Sequence, residues 1–287
     1  MSHTKIYSWL AVCLLLVLST SYFNRKYEVM ALTPFHSGTQ HDLSVMTWNI
    51  HCPDVSEGEK QRRIAALILK EDAEIVLLNE FTMDSCRVID SLMSMRYPYT
   101  NDARARGKTG DIFYSKIPLA ESGKFKFKGF RKTVYSKINI GADSVYIVGC
   151  HLAGNNSKGQ IEIDDADSLQ KVKTFWGRYR RAQEKRNGHA HLLKEIIMEN
   201  SLPMIVMGDM NDFQHSAPMD SLRDAGMKNA WWEGGDGYGA TYHQGLLRLR
   251  IDHIYYNEKL KLESIKVIET KLSDHNPVVA GFSFIEK

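Results

Sequence analysis

The chain has little that would staple it or divide it. Its 287 residues include only four cysteines. Cys13 lies in an N-terminal apolar segment, and Cys52, Cys86 and Cys150 are too widely spaced for a disulfide framework or a zinc pattern. They read as buried thiols. One pair could bridge if the domain is exported, and the spacing does not say which. From Leu43 to Phe284 no repeat or low-complexity segment breaks the pattern, so nothing marks an internal domain boundary. A strong excess of one charge is also missing. Against 37 Lys and Arg stand 34 Asp and Glu, a net charge of +3, and a balance this mild does not by itself argue for nucleic acid. The main apolar run, Ile6 to Leu18, is shorter than the roughly 20 residues a membrane-spanning helix needs.

What is present is ordinary globular composition, 43% hydrophobic and 25% charged. A chain of this length can bury a substantial core without a metal or disulfide for stability. Lys5, the apolar run and the small residues Ser19, Thr20 and Ser21 form the pattern of a secretory signal. Extension through Tyr22 and Phe23 would make a marginal span. The expectation is therefore an exported protein, periplasmic or anchored to a membrane. Residues 1–24 would be its signal peptide or anchor, 25–42 a polar linker holding Pro34 and Gly38, and 43–287 a single domain.

Apolar periodicity predicts strands at Leu43–Ile50 and Glu74–Glu80, with a helix over Glu59–Lys70 between them. A helix near Asp84–Met95 follows, then strands at Asp111–Tyr114, Leu119–Phe127, Thr133–Ile140 and Ser144–Cys150. Asp167–Glu199 reads as helix, with a break expected near Gly177 or Asn187-Gly188. Pro203–Gly208 is a short buried strand, followed by a helix near Met219–Ala225 and strands at Ile251–Tyr256, Leu260–Ile268 and Val278–Phe284. Parallel crossovers mixed with hairpins argue for an α/β (α+β) domain of two packed mixed β-sheets with outer helices.

Six of these strand ends carry groups suited to metal or acid–base chemistry: Asn49, Glu80, His151, Asp209 with Asn211, Asp252-His253, and Asp274-His275. Asp209 and Asn211, two apart on an extended backbone, project to the same side. Any one of the six could be an Asx-turn, a helix cap or a satisfied histidine. Together they would burden the ends of the most apolar strands with polar groups, which argues for a site.

Thr47-Trp48-Asn49-Ile50, Leu77-Leu78-Asn79-Glu80, Gly149-Cys150-His151-Leu152, Gly208-Asp209-Met210-Asn211, Arg250-Ile251-Asp252-His253-Ile254 and Ser273-Asp274-His275-Asn276-Pro277 resemble, in order, the six signature segments of the endonuclease/exonuclease/phosphatase superfamily. That superfamily includes pancreatic-type deoxyribonucleases, abasic-site endonucleases and neutral sphingomyelinases. Asn79 stands where a glutamine is usual, and Met210 where an aromatic is common. The resemblance implies a four-layered α/β sandwich and a phosphoesterase using Mg²⁺ or Mn²⁺, for which oxygen ligands are independently suited. It implies Glu80, Asn49 and Asp274 as metal ligands. Asp209 and Asn211 would handle water and phosphate, Asp252 would orient His275, and His151 would contact the phosphate or the leaving oxygen. Whether Asp209 or the His275–Asp252 pair is the base stays open.

The substrate is less legible. Arg104, Arg106 and Lys108 are candidate phosphate contacts. Lys171–Arg186 is basic, with Phe175, Trp176 and Tyr179 interleaved. That mixture suits a nucleic-acid strand, a membrane surface, or an amphipathic helix whose aromatics face the core. Trp231-Trp232 before a glycine-rich stretch could be a flexible aromatic rim or a turn over the core. The expectation is a monomer hydrolysing phosphodiesters, nuclease-like or general. A phospholipid or sphingomyelin phosphodiesterase or a phosphatase is the alternative, and an idle binding module the remote one. The partner is the ester itself, nucleic acid or phospholipid, with a membrane added if the N-terminal segment is retained.

Overall fold

The computed structural model describes residues 40–52, 57–102, 109–125, 133–154, 168–244 and 247–285, with backbone alone for 168–176. The N-terminal segment 1–24, most of the linker, and Arg104, Arg106 and Lys108 lie outside the described residues.

The chain starts with a β-α-β unit: β1 (Leu43–Asn49), α1 (Gly58–Glu71) and β2 (Ile75–Phe81). α2 (Arg87–Ser94) and the strands β3 (Tyr99–Asp102), β4 (Gly110–Ser115), β5 (Leu119–Phe125) and β6 (Thr133–Ile140) follow. A second β-α-β unit is made by β7 (Asp143–His151), α3 (Ser168–Glu199) and β8 (Met204–Asp209). The rest is α4 (Ala217–Asp224), β9 (Lys228–Asn229), α5 (Ala230–Gly234), the hairpin β10 (Tyr242–Gln244) and β11 (Leu247–Leu249), then β12 (Asp252–Tyr256), β13 (Leu260–Val267) and β14 (Val278–Phe284). One six-stranded sheet has the order β13-β14-β1-β2-β4-β3, the other β5-β6-β7-β8-β12-β9. β1–β2 and β7–β8 are parallel and every other pair is antiparallel. Parallel neighbours require a crossover, and α1 and α3 supply it.

Side-chain alternation assigns the layers. Leu43, Val45, Ile75 and Leu77 pack with Val145, Ile147, Ile205, Met207 and Ile254 in a core between the sheets. Their alternate neighbours Met46, Trp48, Val76 and Leu78 face outward onto Ile64 and Ile68 of α1 and Ile89 and Met93 of α2. Val148, Met204 and Val206 face outward onto Leu193 and Ile197 of α3 and Met219 and Leu222 of α4. Strands buried on both faces read as continuous apolar runs, as these do. Two packed mixed sheets between helix layers are the architecture the sequence predicted.

α3 contradicts one expectation. It runs unbroken through Gly177 and Asn187-Gly188. A glycine costs about 1 kcal/mol in a helix interior, yet Ala182, Arg186, His189, Ala190, Leu193 and Ile197 are buried on one face spanning Gly188. Packing on both sides of the weak point outweighs it. Trp231 is buried in α5, whose first turn is capped by Asn229 Oδ1 accepting the Trp231 and Trp232 backbone N–H groups at 3.0 and 3.3 Å. A Cβ on Gly239 would meet the Trp231 ring at 2.2 Å. A Cβ on Gly235 would meet the same ring at 2.4 Å, so the two glycines admit the indole, and Trp231 is a buried side chain and no flexible rim. Among the described residues no helix is long and apolar enough to cross a membrane.

Two buried histidines, His189 and the strand-end His253, are bonded away from the catalytic candidates and make stability pH-dependent. His253 Nε2 donates to Asp212 O at 2.9 Å and Nδ1 accepts from Asn229 Nδ2 at 3.2 Å, so the neutral ring is fully satisfied. Burial, with Arg250 adding repulsion, pushes its pKa down to about 3. Burial lowers His189, which contacts Thr133 Oγ1 at 2.9 Å, to about 4. Both folded values lie below that of a free histidine, so the unfolded chain binds more protons between them. The contribution of these two histidines is therefore full above about pH 6.5 and falls as pH drops, by roughly 1–2 kcal/mol per histidine by pH 5. Urea midpoints that stay flat from about pH 6.5 to pH 5 would contradict this.

Candidate active site

At one end of the domain the inward-facing columns turn polar. Val45 and Thr47 lead to Asn49, Ile75 and Leu77 to Asn79, Ile147 and Gly149 to His151, and Ile205 and Met207 to Asp209. Register aligns them: Asn49 lies opposite Asn79, His151 opposite Asp209, and Asp252 opposite Asp209 from the other side. These are the carboxyl ends of the two parallel pairs, where α/β sheets place their ligands. Asn49 Nδ2 donates to Asp209 Oδ2 across the gap between the sheets at 2.9 Å. Asn79 Oδ1 accepts the Asp209 N–H at 3.1 Å, and its Nδ2 donates to Asp111 Oδ1 at 2.8 Å and Cys150 O at 3.1 Å.

The approach of β8 to β7 requires Gly208. Its φ is +138°, and a Cβ there would sit 1.9 Å from the Cys150 carbonyl oxygen. Gly208→Ala is expected to destabilise the fold by about 3–5 kcal/mol, since backbone strain and a backbone clash act together. A denaturant midpoint within error of the parent would refute this.

Asp209 is the centre of the arrangement. Besides Asn49, its Oδ2 lies 3.6 Å from His151 Nε2 and 3.8 Å from His275 Nε2, while Oδ1 accepts the Asn211 N–H at 2.8 Å. Asp252 Oδ2 holds His275 Nδ1 at 2.8 Å. Trp48 Nε1 donates to His275 O at 2.9 Å, and the Tyr242 ring meets the imidazole edge-on at 4.9 Å. Asn211 adopts φ +52°, and its Nδ2 donates to Leu152 O at 3.2 Å. Burial opposes charge on all three central groups, but the contacts decide two of them. Burial would lower His275, yet Asp252 and Asp209 raise it to about 10. Burial would raise Asp209, yet His275 and His151 hold it below the usual carboxylate range. Burial pushes Asp252 up despite His275. The 2.8 Å contact supports the imidazole direction, a charged His275 on an Asp252 carboxylate.

Glu80 and Asp274 stand at the mouth. By strand parity Glu80 should point outward with Val76 and Leu78. A register shift between Leu78 and Phe81, and φ +56° at Glu80 itself, turn it into the site. Its Oε1 lies 3.7 Å from His151 Nε2. Its Oε2 and Asp274 Oδ2 lie 3.8 and 3.6 Å from the same atom, His51 Nδ1. Separately, Asp209, Asp252 and His275 form a buried set whose donor atoms lie within 4.8 Å of one another and could hold a metal ion.

Three residues escaped the sequence reading. Asp111 is the second residue of β4 and lies 3.8 Å from His151 Nδ1, buried. It had the same signature as Asp252, an acid heading an apolar strand. His51, two residues past Asn49, had none. Arg186 lies in the basic run but is completely buried, donating to Asp212 Oδ2 at 2.9 Å and Ala153 O at 2.8 Å. It braces the loop after β8, while Arg178, Arg180, Arg181 and Lys185 are solvated. Beside that loop is a cavity of about 580 Å³ whose walls include Tyr179, Phe213, Tyr238, Gln183 and Gln214. Phe175 and Trp176 fall where side chains are not described.

The model of the Endonuclease/Exonuclease/phosphatase family matches residues 46–275. No curated protein matches the sequence significantly. Among solved structures, D. rerio TDP2 complexed with single strand DNA product has a TM-score of 0.62 at 14% identity, over 84% of this chain and 98% of that one. The human nocturnin catalytic domain with bound sulfate anion has a TM-score of 0.61 at 17% identity, over 85% and 93%. A Bacteroides thetaiotaomicron mannosyl-6-phosphatase has a TM-score of 0.63 at 17% identity, over 84% and 100%. At these identities the likeness is one of fold.

Proposed function

Since the chain belongs to the Endonuclease/Exonuclease/phosphatase family, we propose that it is a divalent-metal-dependent phosphoesterase acting on phosphodiesters, with its reaction centred on Asp209. The observation that carries this is the placing of one ionised carboxylate against Asn49, His151 and a charged His275, at the joined ends of two sheets.

The residues present fit a hard cation. Glu80 and Asp274 are half-exposed carboxylates that both approach one point, now occupied by His51 Nδ1, and like charges so placed are stabilised by a shared positive centre. With the Asn49 amide nearby, they are the set we assign to Mg²⁺ or Mn²⁺. The buried Asp209–Asp252–His275 set is less suited, because ligation there would break the 2.8 Å His275–Asp252 bond. When bound, the cation would neutralise charge on a phosphoryl oxygen.

The protein groups then divide the work. Asp209, held ionised, orients the attacking water and accepts its proton. His275, fixed by Asp252 through Nδ1, presents a charged Nε2 to a phosphoryl oxygen. His151, set between Glu80 and Asp209 with Asp111 behind it, faces the leaving oxygen. Asn211 and Asn49 keep Asp209 in place. The aromatic-walled cavity beside the loop after β8 would take the planar group of a nucleotide, which favours a nuclease-like substrate over a lipid. One protein of similar fold is described with a single strand DNA product, in keeping with this.

A substrate panel tests the reading: bis-p-nitrophenyl phosphate, p-nitrophenyl phosphate, single-stranded DNA and sphingomyelin vesicles, each with Mg²⁺, Mn²⁺ or EDTA. Metal-dependent diester cleavage with DNA preferred is the expected result. Preferred monoester or lipid turnover would move the substrate, and no metal-dependent turnover of any ester would leave only a binding module. Export with residues 1–24 as signal or anchor, and a monomeric state, belong to the same proposal. The export reading rests on the Lys5–Ser21 pattern and would fail on a full-length cytoplasmic product, and the monomeric state would fail on an oligomeric one.

A further inference from the structure

Cys52 follows the turn out of β1, and Cys86 caps the start of α2 after the turn out of β2. Their sulfurs lie 2.6 Å apart. A disulfide bond is about 2.05 Å long, so roughly half an ångström separates the contact from the bond. Cys86 is completely buried and Cys52 half-buried, so one sulfur can be reached from solvent. The second turn is already braced. Cys86 N donates to Thr82 O at 2.8 Å. The buried Gln61 of α1 donates to Ser85 O at 2.7 Å and accepts the Val88 N–H at 3.1 Å. Little further ordering is needed to close a bond there. Cys150 is a different case: it is fully buried in the outer core of the other sheet, and burial pushes its thiol far up.

We propose that Cys52 and Cys86 are a disulfide-forming pair that ties the end of β1, with Asn49 and then His51, to the end of β2, with Glu80. The Cys86 hydrogen bond draws the Cys52 thiol down to about 6, which suits it as the attacking thiolate. The oxidant is an external disulfide, either a small-molecule disulfide or a dithiol oxidase of an oxidising compartment. Cys52 attacks it, releasing one partner thiol and leaving a mixed disulfide, and Cys86 then displaces the second. Two protein thiols and one partner disulfide become one protein disulfide and two partner thiols. The closed segment contains α1 and β2, so its effect falls on the Glu80 side of the site and constrains the unfolded chain.

The test uses the full chain, equilibrated with oxidised glutathione, alkylated and digested without reductant. Mass mapping should give one cross-linked peptide joining Cys52 to Cys86, with Cys150 alkylated only after unfolding. Reduction should lower Tm by about 5–10 °C, the scale for a loop of this length. Cys52→Ser should show no reductant-dependent shift and should melt with the reduced parent. Separate alkylated Cys52 and Cys86 peptides after oxidation would overturn the proposal. So would linkage of Cys52 to Cys13 or Cys150, or a reductant-dependent Tm shift that persists in Cys52→Ser.

Discussion

Glu80→Gln should bind Mn²⁺ at least about a hundredfold more weakly and hydrolyse a diester about a thousandfold more slowly, while its Tm stays within a few degrees of the parent. A thousandfold corresponds to about 4 kcal/mol, the scale of losing a principal charge from a metal site. The fold itself argues for this residue. Glu80 holds a left-handed φ at a strand irregularity, a conformation that costs an ordinary residue about 1 kcal/mol or more. That strain converts an outward-facing position into one beside His151 and Asp274. Glutamine preserves shape and one carbonyl oxygen but removes the charge. Calorimetric titration or the Mn²⁺ electron-spin signal measures binding directly, and unchanged binding would remove Glu80 from the metal set.

The second large effect is expected at His275. His275→Ala should slow hydrolysis by about 10²–10⁴-fold, the range of a positioned proton-transfer or charge-stabilising group, with Mn²⁺ affinity changed no more than about threefold. Asp252→Asn should reproduce most of the loss, because the imidazole would lose the carboxylate that fixes its orientation at 2.8 Å. The two variants together locate the cation. If His275→Ala abolishes Mn²⁺ binding and Glu80→Gln spares it, the metal sits in the buried Asp209–Asp252–His275 set.

Much of this geometry was readable from strand alternation. The apolar columns that end in Asn49, His151 and Asp209 announce both the inter-sheet core and its polar rim, because a period of two carries the same face to the strand end. Glu80 belongs to the opposite parity, and no periodicity announces the φ that redirects it; its place as an acid at the end of an apolar strand, and then its motif, marked it. Asp111 was legible in principle, since it heads an apolar strand as Asp252 does, but it lies outside the six recognised segments. His51 became visible only when two carboxylates from distant parts of the chain were seen to converge on it. The unbroken α3 was misread for another reason. Gly177 and Gly188 are local weaknesses, whereas the buried face from Ala182 to Ile197 is a tertiary property. Arg186 was read only as one member of a basic run, because sequence cannot distinguish a charge facing water from one spent on Asp212.

The pairing of β14 with β1 has a consequence for assembly. Every strand of the second sheet comes from one uninterrupted stretch, β5 through β12. The first sheet is split between the chain's early strands and the late pair β13–β14, with Val278 beside Thr47 and Phe282 beside Leu43. Contacts so distant in sequence are slow to close, and a ribosome must release nearly the whole polypeptide before they can. Asn49 is made early but meets Asp274 and His275 only when this last seam shuts. If Asp274 and His275 act as proposed, a chain not yet synthesised through β14 carries no competent site.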